Sequence, residues 1–220
     1  MDLRRGAGRH QQRHRRLTDL RLRDDRGSTL PIYIWMTAIL LFAAFAFFAF
    51  AQAASARNGA QSAADAAALA AVQSVRDDVM DRLGEAVGNE DDWLDWLTGD
   101  DLDGLGGGAA AAAGDLAAQN DATVVRGPDD AEVNGHPGYS VEIRTDYAVG
   151  DTVIPGTESM HATAHATAVL EPRCDFSLDA DPEKPLELDC EGGDFTIDPE
   201  DFDPLDLPDA SDLFSVHLAD

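Results

Sequence analysis

Positive charge is scarce in this chain: 16 Lys and Arg stand against 42 Asp and Glu, a formal net charge of −26. Such a surface repels phosphate, which excludes nucleic-acid binding as a general role. Cysteine is nearly missing, and two residues cannot build a structural zinc site without histidine. There is no Cys-x-x-Cys redox pair and no His-Glu-x-x-His. The glycines at 104, 106, 107 and 108 lack the Gly-Lys-Ser/Thr ending of a P-loop, and their spacing is not that of a dinucleotide fingerprint. His161 and His165 sit four apart in a β-type pattern, about 13 Å along a strand, too far to share one ion. No Ser-His-Asp set stands out. The chain is expected to be no enzyme, with no catalytic residue, no cofactor and no metal.

Charge of either sign is missing altogether from Gly27 to Ala56, and Leu30 to Ala51 is apolar apart from Pro31 and Thr37. A helix rises about 1.5 Å per residue, so this run spans a hydrocarbon core of about 30 Å. Pro31 suits the first helical turn, where its missing N–H costs little, and Tyr33 and Trp35 suit the headgroup level. Residues 1–26 carry nine Arg and four Asp, whereas residues 27–220 carry seven basic and 38 acidic side chains. Arginine-rich flanks stay in the cytoplasm. The expectation is a single-pass membrane protein with its N-terminus in the cytoplasm and the acidic remainder extracytoplasmic. The alternative is a secretory signal cut after Ala54-Ser55-Ala56, against which the apolar run is longer than such signals usually carry.

Proline is missing between 51 and 87, and alanine, the strongest helix former, dominates there. One helix from about Pro31 to Val87 is expected, a rod of about 85 Å. Ala43, Ala46, Ala49, Ala53, Ala56, Ala60, Ala64, Ala67 and Ala71 recur every three or four positions, a small-residue stripe on which another helix could pack, self-association included. Val72, Val75, Val79, Leu83 and Val87 form a conventional apolar stripe for a small domain. Trp93, Leu94, Trp96 and Leu97 read as a short helix contributing to a core, and 100–114 as a Gly/Ala-rich connector. Strands are expected at Thr123–Arg126, ended by Gly127-Pro128, and at 139–149 and 160–170, where apolar and polar residues alternate. The fold class is α+β: a transmembrane helix continuing as a long helix, packed on a small antiparallel sheet.

Cys174 and Cys190 are expected to form a disulfide, worth about 3 kcal/mol through chain entropy for a loop of that size. The segment from Asp175 to Asp220 is acidic, with one lysine and prolines at 182, 185, 199, 204 and 208, and is expected to be largely disordered. Asp194, Asp198, Glu200, Asp201, Asp203 and Asp206 offer oxygen ligands for calcium, but the EF-hand pattern is missing and a solvated acidic tail is the favoured reading. The domain expectation is a basic leader over 1–27, a membrane segment over 28–56, a helical extension over 57–88, a small α+β domain over 89–173 and an acidic tail over 174–220.

The block Arg57-Asn58-Gly59-Ala60-Gln61-Ser62-Ala63-Ala64-Asp65-Ala66-Ala67-Ala68-Leu69-Ala70-Ala71, with Asp25-Arg26-Gly27-Ser28-Thr29-Leu30-Pro31 and the aromatic apolar run before it, resembles the N-terminal region of TadE/TadG-like Flp pilus-assembly proteins. The resemblance covers about residues 25–75. It implies a non-catalytic pseudopilin or minor-pilin role at the cell surface, with the lipid bilayer and pilins or Tad secretion-complex membrane proteins as partners. Its motif positions here are Arg57, Asn58, Gly59, Ala60, Gln61, Ala64, Asp65, Ala68 and Leu69. It also implies a prepilin-type junction at Gly27 and Ser28, although Ile32 stands where prepilins usually carry glutamate. The competing expectation, from the acidic tail, is a membrane-anchored extracytoplasmic binding module for cations or a cell-envelope partner.

Overall fold

The computed structural model describes residues 29–89, 93–99, 105–148 and 159–219. The basic leader, the Gly27–Ser28 junction and the start of the Gly/Ala-rich connector lie outside the described residues. The chain divides into two compact units, Met1–Phe45 and Ala46–Asp220.

Helix α1, Thr29–Ala86, runs 58 residues without interruption. Its large side chains up to Phe50 are exposed on all sides, from Leu30 and Ile32 through Phe42 and Phe47. From Ala56 onward one face is buried: Ala60, Ala63, Ala64, Ala67, Ala68 and Ala71, then Val72, Val75, Val79 and Leu83. The valine stripe is thus core, as its spacing predicts. The alanine stripe from Ala60 to Ala71 is core as well, packed within this chain rather than left free for a second helix, because methyl-sized side chains let a sheet approach closely.

In the second unit, α2 (Trp93–Thr98) and α3 (Ala109–Gln119) precede the strands. The main sheet contains β1 (Ala122–Val133), β2 (His136–Ala148), β3 (His161–Pro172) and β7 (Phe214–Leu218), in the order β1-β2-β3-β7 with antiparallel neighbours. A second sheet holds β4 (Cys174–Asp175), β5 (Leu186–Cys190) and β6 (Gly193–Ile197). Tyr139, Val141, Ile143 and Thr145 alternate inward on β2, and Ala166, Ala168 and Leu170 do so on β3. Apart from Thr145, they form one apolar cluster with the buried face of α1.

Three expectations are corrected. Gly127-Pro128 does not end β1: the register shifts between Val124 and Arg126 and again between Arg126 and Asp129, so an irregularity absorbs the proline and pairing resumes to Val133. The alanines from Ala109 onward are no connector but open α3, whose Ala109, Ala113 and Ala117 are buried, since alanine pays the least to enter a helix.

The third correction concerns the acidic segment, expected to be largely disordered. It supplies β5, β6 and β7 and two 3-10 turns, Pro199–Asp201 and Pro204–Asp206. Average composition concealed a period of two. Leu186, Leu188 and Cys190 on β5 point inward between exposed Glu187 and Asp189, and Leu213 and Phe214 join the main core. A disulfide joins Cys174 to Cys190, which face each other across β4 and β5. Arg173 donates to Glu191 at 2.7 Å and to the Ser211 carbonyl at 2.7 Å, tying the segment to the end of β3.

Candidate functional site: the motif helix and the cleft beside it

The segment Arg57–Leu69 lies in the middle of α1, and helical geometry divides it by face. Ala60, Ala64 and Ala68 are fully buried and Leu69 is half-buried. Arg57 and Asn58 are exposed. Gly59 faces the hydroxyl of Tyr147, at the end of β2. The motif alanines therefore pack into the core, while Arg57, Asn58 and Gln61 stay at the surface.

Gln61 and Asp65, one turn apart, line an open cleft of about 400 Å³ with His165, Thr167, Leu218 and Ala219. Gln61 Nε2 donates to Asp65 Oδ1 at 2.8 Å and to the His165 carbonyl at 3.3 Å, linking helix to β3. The cleft can offer one carboxylate and one amide to a polar partner. It has no nucleophile paired with a base.

The structure keeps the remaining candidate residues apart from this cleft. His161 Nδ1 lies 2.7 Å from the Thr145 carbonyl. His136 and His217 flank Glu171 at 3.6 and 3.7 Å, connecting β2, β3 and β7. Of the calcium candidates, Asp198 and Asp203 accept backbone N–H groups from Glu200 and Leu205 at 3.1 and 3.0 Å, so they cap the 3-10 turns. Among the described residues no group of three His, Cys, Asp or Glu is arranged to hold a metal ion. Trp93 is buried and donates through Nε1 to the Pro182 carbonyl at 3.0 Å, a core anchor.

Among the described residues, Tyr139 and the Lys184–Asp181 pair have clearly shifted titrations. Burial, aided by the Asp130 carboxylate that accepts from its hydroxyl and by nearby Asp78, raises Tyr139 above the usual tyrosine range. On the surface, a hydrogen bond between Lys184 and Asp181 lowers the carboxyl and raises the ammonium.

The apolar part of α1 is long and apolar enough to cross a membrane, with a mean hydropathy of 2.3 in its most apolar window and none of that window buried. Residues 27–74 match the Tad family model, described as "Putative Flp pilus-assembly TadE/G-like". The Tad match takes in the whole apolar run and the Arg57–Leu69 motif and ends before the first strand. No curated protein and no solved structure matches the chain. The Tad match and the membrane-capable helix together support a component of pilus assembly.

Sequence reasoning did not foresee the Gln61–Asp65–His165 cleft. The four-residue step from Gln61 to Asp65 put both side chains on one helix face. Which strand would meet that face was not written in any local pattern.

Proposed function

We propose that the chain is a non-catalytic, membrane-anchored component of Flp-type pilus assembly, pseudopilin or minor-pilin in character. The observation that carries this reading is the coincidence of the Tad match over 27–74 with an uncharged, all-round exposed helical span. A helix exposing Phe, Leu and Ile on every side is stable in lipid and unstable in water. The charge asymmetry about that span supports a single pass with the N-terminus in the cytoplasm. In this reading 1–27 is a cytoplasmic leader, 28–56 the anchor, and the rest extracytoplasmic. Gln61 and Asp65 then lie just outside the bilayer, where they can meet pilins or membrane proteins of the secretion complex. Ala43, Ala46 and Ala53, outside the intramolecular core, are the part of the stripe left for another helix.

Detergent extraction of the native protein followed by identification of its partners and its N-terminus tests this proposal. Co-purification with pilins or secretion-complex proteins is the expected result. A start at Ser28 identifies prepilin-type processing and an intact N-terminus a bitopic anchor. A start at Arg57 with no pilus protein recovered contradicts the reading. The second reading, an acidic extracytoplasmic binding module, is favoured by one observation, the carboxylate-rimmed groove described next.

A further inference from the structure

Beside the end of α1, away from the motif cleft, Met80, Leu207 and Pro208 form the less exposed floor of a groove of about 570 Å³. The exposed side chains of Asp81, Glu85 and Asp209 stand along it. Leu205, in the turn that lines the groove with Pro204, is 90 % exposed. Glu85 meets Arg82 only at 3.8 Å on the surface, and among the described residues neither the Asp81 nor the Asp209 carboxylate has a hydrogen-bond or ion-pair partner. A Cβ at Gly84 would stand in ordinary contact with Leu207 and Pro204, at 3.5 and 3.7 Å, so a side chain longer than alanine there would extend into the groove.

We propose that this groove is a docking site for a segment of a partner protein in which Arg or Lys alternates with apolar side chains. Charge decides the occupant. Three carboxylates on the rim, in a chain of net charge −26, repel an anionic lipid headgroup or an acidic peptide. An apolar floor adds little for a fully polar polycation, whereas an apolar side chain between two guanidinium groups fills it. Arginine stems lie well on Met and Leu while their heads reach carboxylates bidentately. The proposal stands on the groove alone, independent of the pilus-assembly reading.

The test is fluorescence anisotropy of a labelled peptide of alternating Arg and Leu, titrated with the full chain in detergent micelles. D81N/D209N, which removes two rim charges, is expected to weaken binding about tenfold. G84L, which fills the groove at constant charge, is expected to do the same. The charge-matched E187Q/D189N control on β5 is expected to change affinity less than twofold, and oligolysine to bind more weakly than the Arg/Leu peptide. Equal weakening by the control, unchanged binding by G84L with an unaltered melting temperature, or no binding by the wild-type chain overturns the proposal. Should G84L lower the melting temperature, D81N/D209N against its control decides.

Discussion

Three residues show how single positions hold this fold. Thr145 is fully buried in β2, next to the register shift between Arg144 and Ala148. Its hydroxyl donates to the Tyr147 carbonyl at 2.9 Å and accepts from the Ala162 amide at 3.1 Å, replacing the ladder bonds that the shift removes. Thr145→Val keeps the shape and leaves both groups unpaired, so a loss of about 1–3 kcal/mol is expected in denaturant unfolding. Gly138 allows β2 and β3 to approach so closely that a Cβ would overlap the Ala168 carbonyl and the Val169 backbone. Gly138→Ala is expected to cost about 3 kcal/mol, because backbone cannot yield as a side chain can. Tyr139 supplies the pH dependence. Its raised pKa means that the folded state holds the phenolic proton more tightly than the unfolded state does. The contribution is fully present below about pH 10 and is lost as pH rises through the folded value. Stability profiles from pH 8 to 11.5 are therefore expected to fall more steeply for wild type than for Tyr139→Phe.

At the scale of elements, the disulfide and the second sheet belong together. Cys174 and Cys190 are cross-strand partners at the start of that sheet, and Leu186, Leu188 and Ile197 bury one face of it. Cys174→Ser with Cys190→Ser is expected to lower stability by about 3 kcal/mol, and amide exchange is expected to quicken first across 186–197. How much of this was legible in the sequence varies with the length of the pattern. The 58-residue helix, the valine stripe and the two strict alternations on β2 and β3 repeat often enough for periodicity to speak clearly. β5 and β6 have five residues each, too few to stand out against the carboxylates around them. Gly127-Pro128 predicts an end to β1 because turn chemistry is local, whereas the irregularity that carries the strand on depends on its partner β2. The motif alanines were legible as a small-residue stripe, but their packing partner was not: a sheet and a helix place the same demand on a methyl-sized face.

For the molecule as a whole, the decisive property is the contrast between an uncharged span and the two unequal charges flanking it. The leader carries nine Arg and four Asp, and the residues after it carry 38 of the 42 acidic side chains. An apolar run of that length is expected to keep the protein in the membrane fraction through high-salt and alkaline washes, and replacing Leu40, Leu41 and Phe42 by Lys is expected to release it. The Tad match lies on this span and on the helix that follows, so anchorage and the motif surface form one continuous element. The central claim is that this element serves pilus assembly. Its most direct test is the number of Flp pili per cell, counted by electron microscopy in a clean deletion and in the deletion complemented with the full chain. Loss of pili on deletion and their return on complementation is the predicted result; normal piliation in the deletion strain would contradict it.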